Sequence, residues 1–544
     1  MTGWVATVGS QVRSRADDRR PGLVAEGRTW SWAEHTAEAA ARAAWYAQDR
    51  RRRGTCGPPH VGVLLENVPA FSFWLAAAAL GRFVLVGLNT TRRGEDLAQD
   101  VRSTACDLVL TDEAGEALLR DLDLGTARVM TDGTYERAPL PADEAKIDDL
   151  YLLIFTSGTS GTPKAVRCSQ GKIATYGLGM AGGVELTADD VTYISMPLFH
   201  SNAVIAGWSP SLAVGATIAL RRKFSASQFL DDVRRVGATF ANYVGTPLSY
   251  VLAQEPRSDD ADNPLRRVFG NEGAPADLNR FAERFDCRVI DGFGSTESGI
   301  SVSRTPDTPA GSLGRPVGEV KVFNPETGVE CAVAVVDAQG RLLNADEAVG
   351  ELVNCDGAGG FEGYWDSPVD TAARLRDGRY WSGDLGYRTS DGFLWFAGRS
   401  VDRLRVSGEN FPAAPVSRLL SRHPDVVEVV VYAVPDPVAG DAVMAAVVPR
   451  EGFDRASFAS WAAEQPDASP HWIPRYVRVS TDMPKTATGK IVVRHLARQR
   501  WEAPGEVWVR NGRDLTLRPF TAADQAALEL AFTASGRSLL ARTH

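Results

Sequence analysis

Through the first 300 residues, short apolar runs rich in β-branched residues alternate with longer helical patterns. HVGVLLE (60–66), CDLVLTD (106–112), YLLIFTS (151–157) and CRVIDGF (287–293) read as buried strands, and WAEHTAEAAARAAWYAQ (32–48) and SASQFLDDVRRVG (225–237) read as helices. A chain that alternates in this way packs helices over sheets and builds an α/β fold with largely parallel strands. The most apolar stretch, FSFWLAAAALGRFVLVGL (71–88), is about long enough to cross a bilayer. Arg82 lies inside it, and Gly81 divides an Ala-rich half from a Val/Leu-rich half, so it reads as a buried helix turning into a buried strand. The charge run Asp49-Arg-Arg-Arg-Arg-Gly54 reads as a solvated loop at a helix end, where Arg also suits the helix dipole.

The pattern changes near residue 310. VKVFNPETG, AVAVVDAQGRLL and GELVNCDG are short alternating strands broken by turn residues, as in a small β-rich unit. After residue 411 a helix (APVSRLLSRH), two strands (EVVVYAVPD, DAVMAAVVPR) and a second helix (DRASFASWAAEQ) form a separate pattern, that of a small α+β domain. The expected organisation is an N-terminal domain over 1–398, a hinge at 399–402 and a C-terminal domain over 403–544.

Composition narrows the function. The chain has 544 residues, 44% hydrophobic and 23% charged, which is ordinary globular usage and excludes a disordered or multi-span membrane chain. The net charge of −9 disfavours a nucleic-acid binder, which needs a basic face. Six scattered Cys with no C-x-x-C, and a start with no apolar signal region, point to free thiols in the cytoplasm and to no integral membrane segment. Most of the basic residues are Arg. Lys stands only at 146, 164, 172, 223, 321, 485 and 490, which makes each one worth attention.

The sharpest local pattern is Tyr151-Leu-Leu-Ile-Phe-Thr-Ser-Gly-Thr-Ser-Gly-Thr-Pro-Lys164. A buried strand runs into a loop of Thr156, Ser157, Gly158, Thr159, Ser160 and Gly161, closed by Lys164. The glycines allow close backbone approach, and hydroxyls, N–H groups and one ammonium make an anion cradle. The spacing is not that of a Walker loop.

This loop resembles the phosphate-binding loop of the adenylate-forming superfamily of acyl-CoA synthetases, adenylation domains and luciferases. Other motifs of that superfamily follow in order. Asp291-Gly292-Phe293-Gly294-Ser-Thr296-Glu297 resembles its aromatic-Gly-x-Thr-Glu motif, and Gly273-Ala274-Pro275 the stretch that lines adenine. Tyr380-Trp-Ser-Gly-Asp384 resembles the ribose-binding Gly-Asp, and Gly392–Arg399, with Phe396 inside it, the segment ending in a ribose-binding Arg. Ser407-Gly408-Glu409-Asn410 resembles the turn that opens the C-terminal domain, and Pro484–Lys490 the motif with the catalytic Lys. The resemblance covers nearly the whole chain. Arg222–Arg234, Tyr243-Val-Gly245 and the tail past Lys490 are most similar to the very-long-chain acyl-CoA synthetase and fatty-acid-transport-protein group, whose eukaryotic members carry an N-terminal membrane segment that is not seen at the start of this chain.

The resemblance implies an enzyme that uses ATP, Mg²⁺ and coenzyme A. A carboxylate attacks the α-phosphorus, pyrophosphate leaves, and the acyl-adenylate passes its acyl group to CoA. It implies catalytic roles for Lys490, Thr296, Glu297 and Lys164, with Glu297 holding Mg²⁺. It assigns Asp384 and Arg399 to ribose and Phe293 to adenine, and it places Gly408 toward the CoA thiol. It puts the acyl group near His200, Tyr243 and Gly245, with Phe199, Ile205, Trp208, Phe240 and Val244 around it. It puts the hinge at Val401 and Asp402; many relatives carry Asp or Lys where Val401 stands. Relatives are often monomers or dimers, so a monomer or homodimer is expected. Two alternatives stay open: loading of a freestanding carrier protein, and a non-catalytic acyl-binding or transport protein. Against the second, Lys164, Glu297, Asp384, Arg399 and Lys490 are all in place. His200 stands where an amino-acid-activating enzyme would carry an Asp.

Overall fold

The computed structural model describes residues 7–537 apart from 157–162, 245–246, 272, 274, 306, 310, 326, 338–341, 400–402, 439, 467, 485–490, 492, 503–504 and 513. Two large sheets carry the N-terminal part. The first has seven strands, in the order Arg288–Gly292, Arg267–Asn271, Phe240–Val244, Val191–Ile194, Thr217–Leu220, Pro21–Ala25, Arg28–Ser31; it is parallel except for the terminal hairpin. The second runs Arg128–Thr131, Leu108–Thr111, His60–Leu64, Val84–Gly87, Leu150–Thr156, Lys164–Ser169, and only its last pair is antiparallel. The expected α/β class with parallel-rich sheets is therefore the observed one.

Local sequence explains the helices between them. Trp32–Arg53 begins in a capping box of Ser31 and Glu34 and ends where Gly54 turns left-handed at φ 63°. The Arg run is thus its last turn and not a solvated loop. Arg50 and Arg53 both pair with Asp107, which explains the ordered helix end. Pro69–Gly81 starts with Pro in its first turn, and every residue from Phe71 to Leu80 is buried. It continues into the buried strand Val84–Gly87, as the sequence suggests. Among the described residues no helix is long and apolar enough to cross a membrane.

An antiparallel β-rich unit follows, built on Gly350–Asn354, Arg379–Arg388 and Leu394–Arg399. AVAVVDAQGRLL, read as a strand, shows only isolated bridges at Ala334 and Val336 among the described residues. Val333 and Val335 stand exposed, so this alternation has no face to cover. Beyond it come the hairpin Arg403–Val406 and Glu409–Pro412, and a five-stranded sheet ordered Val426–Pro435, Asp441–Pro449, Tyr476–Val479, Glu506–Arg510, Leu517–Pro519. This sheet has its own buried core around Val416, Val431, Ala445 and Phe458, consistent with a separate small α+β unit.

Candidate active site

Strands of parallel sheets present their carboxyl ends to ligands. Here the carboxyl ends of Leu150–Thr156, Phe240–Val244 and Arg267–Asn271 converge, and Thr156, Val244 and Asn271 line one cleft of about 1290 Å³. Phe293, Gly294, Thr296 and Glu297, just past Arg288–Gly292, line it too, as do His200 and Asp384. Ser407, Gly408 and His471 close it from the C-terminal part.

Glu297 is not a surface residue: it is 3% exposed, and its Oε1 accepts from Thr156 Oγ1 at 3.2 Å and from Tyr364 Oη at 3.0 Å. Thr296 donates from Oγ1 to Ser201 Oγ at 2.8 Å. Lys164, at the start of its strand, ion-pairs with Asp370 at 2.5 Å and lies over the Tyr364 ring. Tyr364 and Asp370 carry no motif recognisable from sequence. Burial and the Glu297 charge push the Tyr364 phenol above its ordinary range, which keeps it a neutral donor to that carboxylate. Asp384 is buried and sits in register with Arg399 on the neighbouring strand. The rings of Phe293 and Phe396 lie 6.5 Å apart, with Phe396 partly in solvent.

The apolar wall of the cleft is formed by Met180, Met196, Phe199, Ile205, Phe269 and Ile300. Of the residues expected around the acyl group, Phe199, His200, Ile205 and Val244 line the cleft. Tyr243 is a correction. Successive strand side chains point to opposite faces, so with Val244 toward the cleft, Tyr243 packs on the far side and closes over Gly270. Its hydroxyl donates to Asp291 Oδ2 at 2.6 Å, and the same oxygen accepts from Gly273 N–H at 2.9 Å, so Tyr243 and Asp291 together brace the Gly273 segment. Trp208 and Phe240 are also not on the wall: both are fully buried, and Trp208 donates to Ser72 Oγ. Ser157 to Gly161, Gly245, Ala274, Val401, Asp402 and Lys490 lie outside the described residues.

The two parts of the chain meet at Glu409, whose side chain is 14% exposed. Asn89 Nδ2 and Thr91 Oγ1 donate to it at 3.3 Å each, and His200 and His471 stand 3.9 Å and 3.8 Å away. Burial alone raises its carboxyl; His200 and His471 more than offset this and hold it at about 2. Beside it Gly408 takes φ 85°, and a Cβ there would lie 3.3 Å from Val244 Cγ1.

A family profile described as AMP-binding enzyme matches residues 11–365, and that of the AMP-binding enzyme C-terminal domain matches residues 416–490. The chain belongs to the AMP-binding enzyme family. Within it, the chain is 49% identical to the medium/long-chain-fatty-acid–CoA ligase FadD17 of Mycobacterium marinum, over 90% of this chain and 95% of that protein. It is 45% identical to the steroid-22-oyl-CoA synthetase of Rhodococcus jostii, over 98% of each. The fold of this AMP-binding enzyme matches that of o-succinylbenzoate CoA synthetase from Bacillus subtilis bound to a product analogue, with a TM-score of 0.75 at 23% identity, covering 91% of this chain and 98% of that one. Against the acyl-adenylate complex of the same synthetase the TM-score is 0.62 at 23% identity, covering 89% and 97%.

Proposed function

We propose that the protein is an ATP-dependent ligase that joins a large, mainly apolar carboxylic acid to coenzyme A. The observation that carries this is one cleft in which an apolar wall runs directly into the Thr156–Thr296–Glu297–Asp384 cluster. The names of the similar proteins, a fatty-acid–CoA ligase and a steroid-22-oyl-CoA synthetase, support the substrate class.

The acid's carboxylate oxygen attacks the α-phosphorus of ATP, the bond to the β-phosphate oxygen breaks, and pyrophosphate leaves with its electron pair. The CoA thiol then loses its proton and attacks the acyl carbon, and AMP departs. Charge grows on phosphate oxygens in the first step, so fixed donors and cations aimed at them carry most of the acceleration. Thr296 supplies a hydroxyl, Lys164 and Lys490 supply ammonium groups, and Asp384 and Arg399 hold the ribose. Phe293 packs against the base, His200 stands by the acyl group, and Gly408 leaves room for the thiol. Among the described residues no cluster of three His, Cys, Asp or Glu could hold a metal. Mg²⁺ needs no such cluster, because it keeps waters and phosphate oxygens and takes only one or two protein carboxylates. Glu297, on the cleft wall beside Thr156, fits that requirement and would hold the ion, which offsets phosphate charge when bound. The N-terminal domain spans 1–398, the hinge 399–402, and the C-terminal domain 403–544. The six free thiols suit a cytoplasmic enzyme.

Pyrophosphate release is the test, measured with a panel of acids with and without CoA. The reading requires acid-dependent release, with an acyl-CoA product and sustained turnover only when CoA is present. Release that stalls equally with and without CoA would move the acceptor to a carrier protein, and no release would make the protein a binding module.

A further inference from the structure

Lys172 has no place in the reaction as derived above, yet it is 7% exposed, and burying an ammonium is costly unless its protons are taken up. It lies in the first turn of the helix Gln170–Gly183, whose N-cap Ser169 is itself held by the Glu362 carboxylate. Its Nζ donates to the carbonyls of Thr296 at 3.2 Å and Glu297 at 3.4 Å. One turn further along, at the spacing that brings helix side chains onto one face, Tyr176 Oη donates to the carbonyl of Ser298 at 3.2 Å. Gly360 N–H meets the same carbonyl at 2.9 Å. Three consecutive carbonyls of a segment that lines the cleft thus each accept from one helix face, whose Tyr176 lines the cleft too; the Thr296 carbonyl also accepts from Ser298 Oγ at 3.4 Å. Ser298 is held at φ 57°, a left-handed conformation that a non-glycine residue keeps only where its surroundings enforce it. The packing around Tyr176 is tight: a Cβ at Gly360 would lie 2.2 Å from Tyr176 Oη.

We infer that Lys172, with Tyr176, is a positioning residue that fixes the peptide planes of 296–298 and so aims the Thr296 hydroxyl and the Glu297 carboxylate at the metal–nucleotide. The inference rests on the reading of Glu297 as the Mg²⁺ ligand. Lys172 does not line the cleft. It acts through the backbone, which is why no side-chain motif betrays it beyond the scarcity of Lys in the chain.

Calorimetric titration of the full-length chain with α,β-methylene-ATP, at zero and at rising Mg²⁺, reads this directly. Lys172→Met removes the donor and keeps the length of the side chain. It is expected to cut the Mg²⁺-dependent gain in nucleotide affinity about tenfold, the cost of losing hydrogen bonds from a charged donor, while binding without Mg²⁺, which loses only the aim of the Thr296 hydroxyl, weakens much less. Tyr176→Phe keeps the ring, is expected to act in the same direction with a smaller effect, and carries the test if Lys172→Met does not fold. Equal weakening with and without Mg²⁺ would assign both residues a merely structural role and overturn the inference. So would an unchanged Mg²⁺ gain in both variants while Glu297→Gln loses it. An unchanged gain in Glu297→Gln would overturn the metal reading itself, and this inference with it.

Discussion

His35 shows how one buried residue sets a property of the whole protein. It is fully buried, and its Nε2 lies 2.8 Å from Ser72 Oγ. That hydroxyl also accepts from Trp208 Nε1–H. Burial first, then the Arg42 charge, hold the ring down at about 3. The unfolded chain takes up a proton below its ordinary value of 6.5, and the native state does not. Stability from this site is therefore complete above that value and falls as pH drops through it toward the folded one, by about 2 kcal/mol between pH 7 and pH 5. Thermal melts across that range should show a flatter slope for His35→Gln than for wild type; parallel slopes would contradict the assignment. At this scale the motif residues were legible and their partners were not. Thr156, Thr296 and Glu297 stand in one cluster, as the resemblance implies, but the positions of Tyr364 and Asp370 depend on contacts across more than sixty residues of sequence. Tyr243 was misplaced because the chain pattern marks a strand without saying which of its two faces meets the cleft.

Elements were the most readable scale. Helical periodicity marked the helix over 32–48, and short apolar, β-branched runs marked the parallel strands, because those signals are local. The charge run at 49–54 was not legible as helix, since its order comes from the distant Asp107. The turn between Arg403–Val406 and Glu409–Pro412 carries the prediction for this scale. Gly408 packs against Val244 with a positive φ, so Gly408→Leu adds backbone strain of about 1 kcal/mol and drives a side chain into the cleft between the two parts. Thioester formation from supplied acyl-adenylate should fall about a hundredfold, the usual cost of a small misplacement of reacting groups. ATP–pyrophosphate exchange should stay near the wild-type rate. A variant that makes thioester at the wild-type rate would show that the thiol does not pass Gly408.

For the whole molecule, the sequence implied two parts joined near residue 400 and gave no sign of how they dock. The docking rests on Glu409 among Asn89, Thr91, His200 and His471, residues from four separate stretches of the chain. It puts Gly408 and His471 on the same cleft as the apolar wall and the Glu297 cluster. In the proposed reaction this wall would select the acid. Each methylene moved from water onto Met180, Ile205, Phe269 and Ile300 adds roughly 0.8 kcal/mol to binding until the space is full. A ten-carbon difference then outweighs any polar contact to a short acid. The direct measurement is kcat/KM for CoA thioester formation with acetate, octanoate, palmitate and a rigid polycyclic carboxylic acid. An apolar wall of this kind requires kcat/KM to rise steeply from acetate to octanoate and to be highest for palmitate or the polycyclic acid. A preference for acetate would contradict it.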